Sequence, residues 1–444
     1  MSKELFLQSM KALLGDSYPA FESSLEQPPF RGVYVNELKC STARFRQLFP
    51  FPIEPTPFAP CGFYLDPDTA HLGTHPLHHA GAFYAQEPSA MSAAAVLAAK
   101  PGEKVLDMCA APGGKTAAIA AALGGNGLLW SNEYVKQRAF TLLSNCERMG
   151  VRNAVVSNAD SAVLAKQLPQ FFDKVLVDAP CSGEGMLRRE KADYEKWSPK
   201  NIALCARRQA EILHNAAQTL ACGGELVYST CTFNRTENEE AVEAFLATHP
   251  DFELLPIQEP FGSPGFGMPE ARRIFPADGG EGHFVAKLKK RGETDSVKYS
   301  GFTAGSAPAA FDDFYKQQFA AAPAGRPCEI GGKIYITPPA LPATASIPIL
   351  RAGVLAGEMK GRRFVPAHQL YSAARAEDCR AALDLSLEDA RLPRYLHGEE
   401  ISAEGASVTS GYLAITVEGI PLGFGKASGG KIKNHYPKGL RNLS

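Results

Sequence analysis

Between Ser89 and about residue 291 the chain alternates short apolar runs with helical stretches, and this alternation restricts the fold more than any other feature. Lys104-Val105-Leu106-Asp107-Met108 reads as a buried strand, followed by a Gly113-Gly114 turn and a helix over 115–122. Leu128-Leu129-Trp130-Ser131-Asn132-Glu133 reads as the next strand, with a helix through 135–149. Ala154-Val155-Val156-Ser157 is a third strand, running into Asn158-Ala159-Asp160, and Lys174-Val175-Leu176-Val177-Asp178 is a fourth. A helix over 207–220 has apolar positions at helical spacing. Gly224-Glu225-Leu226-Val227-Tyr228-Ser229 is a fifth strand, and His283-Phe284-Val285-Ala286-Lys287-Leu288 closes the region as a late edge strand. Strands alternating with helices imply an α/β fold with a parallel, doubly wound sheet. Ligands of such sheets bind beyond the carboxyl ends of the strands.

A chain of 444 residues is too long for one core, so two to four domains are expected. Residues 1–90, rich in Pro and aromatics, read as a small α+β domain containing the strand Arg31-Gly32-Val33-Tyr34-Val35-Asn36. Residues 91–291 hold the α/β domain. Residues 292–310 read as a linker, 311–375 as a first C-terminal α+β domain, and 376–444 as a β-rich domain. The last 22 residues, 423–444, carry Lys426, Lys431, Lys433, Lys438 and Arg441 without an Asp or Glu. The net charge of −1 decides nothing about nucleic acid; the local distribution does. No apolar run reaches the ~18 residues of a membrane span. The Met1-Ser2-Lys3-Glu4-Leu5 start carries no apolar leader, so a cytoplasmic protein is expected; a monomer is the default, since nothing in the sequence sets oligomeric state. The 10 cysteines form no CxxC pair and read as reduced thiols.

Two features at the strand ends carry chemistry. The turn Cys109-Ala110-Ala111-Pro112-Gly113-Gly114-Lys115-Thr116 has the small residues that let backbone N–H groups approach a ligand at a helix N-terminus. It matches neither GxxxxGK[ST] nor GxGxxG. Glu133, ending the second strand, can accept from both hydroxyls of a ribose, and Asp160, ending the third, from an adenine amino group. An adenosine ligand without a phosphate-binding loop suggests S-adenosylmethionine. The plainer reading is a tight structural turn with two solvated loop acids.

The second feature is a pair of cysteines, Cys181 in Asp178-Ala179-Pro180-Cys181-Ser182-Gly183 and Cys231 in Tyr228-Ser229-Thr230-Cys231-Thr232. A thiolate adding to carbon 6 of a pyrimidine makes carbon 5 nucleophilic, and elimination later restores the thiol. Such a site needs an acid near nitrogen 3 of the base. Asp178 is suitably placed, provided its pKa is raised. Spacing leaves open which cysteine attacks, and two buried core thiols are the plainer reading.

These motifs resemble the NOL1/NOP2/Sun family of RNA cytosine-5 methyltransferases, and more closely its bacterial RsmF-type branch acting on 16S rRNA. The match extends through Val177-Asp178-Ala179-Pro180-Cys181-Ser182-Gly183-Glu184-Gly185, His79-Ala80-Gly81-Ala82-Phe83-Tyr84-Ala85-Gln86-Glu87, and the C-terminal Lys433-Asn434-His435-Tyr436-Pro437-Lys438. The resemblance implies a Rossmann-like class I methyltransferase domain and a PUA-like C-terminal module. It implies that Cys109, Ala110, Ala111, Pro112, Gly113, Gly114, Lys115, Glu133, Asp160 and Asp178 contact S-adenosylmethionine. It further implies Cys231 as nucleophile, Cys181 as the residue releasing product, and Asp178 as a second holder of the base.

The target base must be unstacked, so the RNA is a single strand, a loop or a flipped site. The basic C-terminus fits phosphate contacts, with Asn434, His435 and Tyr436 offered for stacking and Arg31 and Lys39 as further contacts. His78 and His79 resemble a metal pair only superficially, and no metal is expected. A transfer RNA methyltransferase or a ribosome-assembly factor with a vestigial pocket are the competing readings. A cysteine hydrolase using His214 is a third.

Overall fold

The computed structural model describes residues 2–189, 194–195, 197–292, 297–344 and 346–442. Its centre is a ten-stranded sheet whose strands we number in chain order: β1 (Lys104–Asp107), β2 (Leu128–Asn132), β3 (Ala154–Ser157), β4 (Phe172–Asp178), β5 (Leu220–Thr230), β6 (Phe252–Leu255), β7 (Ser263–Gly265), β8 (Met268–Ile274), β9 (His283–Lys290) and β10 (Ile349–Ala352). The order is β7-β8-β9-β5-β4-β1-β2-β3-β10, with β6 pairing β9. The five strands β3-β2-β1-β4-β5 are parallel, as the alternation predicts. β2 and β3 are buried at every position because helices cover both faces. Trp130, fully buried, satisfies its indole N–H on Ser157 Oγ at 2.9 Å.

The helix Gly114–Leu123 starts at Gly113, whose φ of +116° belongs to a glycine. The helix Pro199–Thr219 begins eight residues before the expected start, with Ser198 accepting from Asn201 N and Pro199 in the first turn. Both placements bring β-strand ends and helix starts to one rim of the sheet.

One sequence expectation fails. β9 is an interior strand, not an edge: β5 flanks it on one side, β8 and β6 on the other. The sequences Phe252-Glu253-Leu254-Leu255 and Met268-Pro269-Glu270-Ala271-Arg272-Arg273-Ile274 carry no clean apolar alternation, so their pairing was invisible. The far edge is closed by β10, which lies antiparallel to β3 and comes from the C-terminal part of the chain. The stretch expected as linker is also tied down beyond residue 297. Tyr299 and Phe302 pack on the central core, and Phe302 N donates to Leu341 O at 3.0 Å.

The N-terminal region forms a four-stranded sheet, Ile53–Pro55, Gly62–Leu65, Arg31–Val35 and Phe83–Ala85 in spatial order. Two C-terminal sheets have five strands each, one between Gly305 and Pro366, the other between Ala382 and Asn434. Val33, Phe45 and Phe83 of the first region share one apolar cluster with Leu383, Leu385 and Tyr436 of the last, so the two ends of the chain bury each other. The N-terminal helices Ser2–Leu14 and Tyr18–Ser24 send Phe6, Met10 and Phe21 against Leu187, Trp197 and Phe233 of the central domain. Among the described residues no helix is long and apolar enough to cross a membrane.

Candidate active site

Asn132, at the end of β2, organises the cofactor side. Its amide donates to Met108 O at 3.3 Å and Ala159 O at 2.9 Å, and its Oδ1 accepts from Ser157 Oγ and Ala159 N at 2.7 and 3.1 Å. One buried side chain thus joins the loops that follow β1, β2 and β3. The 109–116 turn is held from the next helix: Arg138 donates to Ala111 O at 2.7 Å and Asn145 to Pro112 O at 2.8 Å. Arg138 also faces Glu133 at 3.4 Å, while Glu133 accepts from Val135 N. Asp160 is exposed and caps the helix Ser161–Gln167 through Ala162 N at 2.9 Å.

These residues suit an adenosine-type ligand. A Cβ on Gly114 would lie 3.0 Å from Tyr84 and 3.1 Å from Gln86, so the turn is close-packed from behind. At the floor, Asp107 accepts from Thr116 Oγ1 at 2.7 Å, while its Oδ1 is buried and unpartnered. Burial pushes the Asp107 carboxyl up to about 7. Glu133 and Asp160 offer carboxylate acceptors, the donor-seeking chemistry that ribose hydroxyls and an adenine amino group require.

Lys115 connects this turn to the thiols. Its Nζ is 2.7 Å from Asp178 Oδ2, and Ser229 Oγ donates to Asp178 Oδ1 at 2.8 Å. Burial alone would raise the Asp178 carboxyl, but the Lys115 ammonium and the hydrogen bonds from Lys115 and Ser229 outweigh it and hold it below the usual carboxylate range. Asp178 is therefore a carboxylate, not the protonated acid that the sequence argument required. Lys115 is the group that carries a proton, its pKa raised by Asp178 against the effect of burial. His283, with Nε2 3.9 Å from Asp178, is pushed down to about 3 by burial and by Lys115, and stays neutral.

The two thiols meet. Cys181 Sγ and Cys231 Sγ are 3.2 Å apart, both free and both partly exposed. The hydrogen bond with Cys231, then burial, raise the Cys181 thiol well above its ordinary range. Cys181 Sγ also accepts from Cys231 N at 3.4 Å. Two buried carboxylates hold the loops in register. Glu184 accepts from Trp197 Nε1 at 2.8 Å, Thr232 Oγ1 at 2.7 Å, and the backbone N–H groups of Phe233 and Asn234 at 2.8 Å. Glu237 accepts from Ser182 N at 2.9 Å, from Ser182 Oγ, from Gln209 Nε2 at 2.8 Å and from Asn234 Nδ2 at 2.7 Å.

The fold thus gathers Cys109 to Lys115, Glu133, Asp160, Asp178, Cys181 and Cys231 at the carboxyl ends of adjacent strands. The sequence reading gave no role to Asn132, Asp107, Glu184 or Glu237, which the structure places in the hydrogen-bond networks of this rim. A polar residue closing an apolar run was the available signal for Asn132 and Asp107; nothing local marks Glu184 or Glu237.

The expected RNA contacts fare differently. Tyr436 is buried, its hydroxyl 2.8 Å from His79 Nδ1, and Asn434 donates to Tyr395 O and Glu399 O. His435 stacks on Phe424 with ring centroids 4.9 Å apart. Lys39 donates to Ser372 O and Pro421 O, and Arg31 to Pro67 O and Thr69 O. Tyr436 and Lys39 thus join modules and are taken up by the fold, while Arg31, Asn434 and His435 remain partly exposed. His79 is satisfied by Tyr436 and Asn442, and no metal-holding group occurs among the described residues. His214 meets His249 at 3.1 Å and Gln218 at 2.7 Å, which gives a hydrolase reading no catalytic base.

Four family models match the chain in order. They are the N-terminal domain of 16S rRNA methyltransferase RsmF over residues 3–88, 16S rRNA methyltransferase RsmB/F over 94–289, the RsmF first C-terminal domain over 313–373, and the RsmF PUA domain over 382–442. Ribosomal RNA small subunit methyltransferase F of Klebsiella pneumoniae is 32% identical over 464 residues, covering 98% of this chain and 96% of its own. The protein of the same name from Escherichia coli O17:K52:H18 is 31% identical, with the same coverage. Among solved structures, a methyltransferase homolog protein from Pyrococcus horikoshii superposes with a TM-score of 0.58 at 31% identity, covering 64% of this chain and 94% of that one. NSun6 from Pyrococcus horikoshii, solved with SFG, shares the fold at a TM-score of 0.58 and 24% identity, covering 65% and 98%. A class I S-adenosylmethionine-dependent methyltransferase domain flanked by these modules makes the chain a member of the ribosomal RNA small subunit methyltransferase F family.

Proposed function

We propose that the protein methylates carbon 5 of a cytosine in 16S rRNA, acting as a cytoplasmic monomer on the small ribosomal subunit. The observation that carries this reading is the pair of free thiols 3.2 Å apart beside an intact Lys115–Asp178 ion pair. Residues Cys109 to Lys115, Glu133, Asp160 and Asp178 hold S-adenosylmethionine, which when bound supplies the electrophilic methyl group. Cys231 Sγ adds to carbon 6 of the ring while Lys115 donates toward nitrogen 3, and electron density moves to carbon 5. Asp178, ionised, accepts from the exocyclic amine, a donor that uracil lacks. Once carbon 5 carries its new methyl group, its proton passes to the Cys181 sulfur as that thiol gives up its own, the C–H electron pair forms the carbon 5–carbon 6 double bond, nitrogen 3 returns its proton to Lys115, and the bond from carbon 6 to sulfur breaks. The electron pair returns to Cys231, and the Cys181 thiol supplies the proton that the leaving sulfur takes.

Transfer of tritiated methyl from S-adenosylmethionine tests this reading on small subunits, deproteinised ribosomal RNA and bulk transfer RNA. Label in small subunits, recovered as 5-methylcytidine, is the expected result. Label confined to transfer RNA would overturn the substrate, and label on another atom would overturn the thiol chemistry.

A further inference from the structure

The two thiol loops are tied by an exchange of carboxylates. Glu184 belongs to the Cys181 loop, yet its Oε2 receives Thr232, Phe233 and Asn234 of the Cys231 loop. Glu237 follows the Cys231 loop, yet it receives both the N–H and the hydroxyl of Ser182, the residue after Cys181. Both acids are almost fully buried, at 2% and 0% exposure. Every group that either carboxylate meets is a donor, so a Gln of equal shape would turn an N–H₂ toward N–H and O–H groups.

We infer that Glu184 and Glu237 are positioning residues with separate duties in the reaction. Glu184 holds the Cys231 loop for attack on carbon 6, and Glu237 holds the Cys181 loop for release. The inference rests on the covalent reading given above. Its physical basis is that each thiol is the chain neighbour of the residues that the other loop's acid fixes. A displacement of about 1 Å at a reacting group costs on the order of 10²-fold in rate.

The test compares Glu184→Gln and Glu237→Gln in the full chain on small subunits. It measures methyl incorporation and, on denaturing gels, covalent protein–RNA adduct. Both variants should lose on the order of 10²-fold in turnover. Glu237→Gln should accumulate adduct, because attack survives and release does not; Glu184→Gln should accumulate none. Ser182→Ala and Thr232→Ala, which keep both carboxyl groups and each remove one hydroxyl and the 2.8 Å bond between the two hydroxyls, should reproduce the two patterns in weaker form without unfolding. The same adduct pattern in both Gln variants, or wild-type behaviour of both Ala variants, would overturn the division of labour. Cys181→Ala runs alongside: adduct in this variant keeps the covalent reading while the division is judged, and its absence overturns both.

Discussion

The cofactor turn and the thiol pair follow the neighbouring strands β1, β4 and β5 on one sheet rim, but they are held by different means. Neutral amides and one guanidinium brace the turn by its carbonyls: Asn132, Asn145 and Arg138 bond Met108, Pro112 and Ala111. The thiol loops hang on two buried carboxylates that collect nine hydrogen bonds, all from the opposite loop or from neighbouring side chains. A turn that must present its backbone to a ligand needs only to be kept open from behind. Two side chains that must meet sulfur to sulfur need each loop fixed in three dimensions. A buried carboxyl group that collects several donors fixes a loop along more directions than a single amide contact does.

Changing the thiol side should break the chemistry and spare cofactor binding. Cys231→Ala should lower single-turnover methylation by about 10⁴-fold or more while leaving the affinity for S-adenosylmethionine, read by calorimetry, within about twofold. A large loss of affinity would mean that the two regions are one. Lys115→Met should fall between them. It removes the proton donor, for an expected loss of about 10²- to 10⁴-fold in kcat. It also strands the Asp178 carboxylate at a cost of about 2 kcal/mol in urea unfolding, less than for a fully buried pair because Asp178 is 28% exposed.

Asp107 sharpens the comparison through pH. Its carboxyl is raised from 3.8 to about 7 in the folded state, so the folded chain holds this proton more tightly than the unfolded chain. The stability it contributes is present below pH 3.8 and is lost as pH rises through 7. Asp107→Asn should therefore gain stability over the wild type across that window, reaching a few kcal/mol and levelling off above pH 7. Melting temperatures of both proteins from pH 4 to 8 measure this. The opposite slope from His283, depressed to about 3, is common to both and cancels. A constant difference would contradict the burial argument. The smallest effect is expected at Gly113, where Ala is strained at a φ of +116°, by about 1–3 kcal/mol. It should weaken cofactor binding while leaving the spacing of the thiols, assayed by dithiol-bridging reagents, unchanged.

The parallel strands were legible because each is a short apolar run closed by a polar residue, as in Lys174 to Asp178. The motif residues at their ends were legible for the same reason: topology alone puts Glu133, Asp160, Asp178 and Cys231 on one rim. Glu184 and Glu237 were not, because their partners lie about 50 residues away and a loop acid looks the same solvated or buried. Tyr436 and Lys39 misled for the converse reason. In sequence they stand in a basic, aromatic context, whereas in the structure Tyr436 meets His79 and Lys39 meets Ser372 O and Pro421 O, across module boundaries.

β10 carries a consequence for how the protein is made. The last residue of the thiol network, Glu237, is synthesised more than a hundred residues before Ile349–Ala352, the strand that closes the sheet beside β3. Pro348 O, just ahead of it, accepts from Asn158 N at 2.9 Å, in the loop that presents Asp160. At elongation rates of about 5–20 residues per second, the nascent chain spends several seconds with both thiol loops made and the β3 edge still open. Completion of the central sheet is therefore timed to the emergence of the C-terminal modules. A nascent chain stalled before residue 349 would carry its thiols beside an unpaired β3.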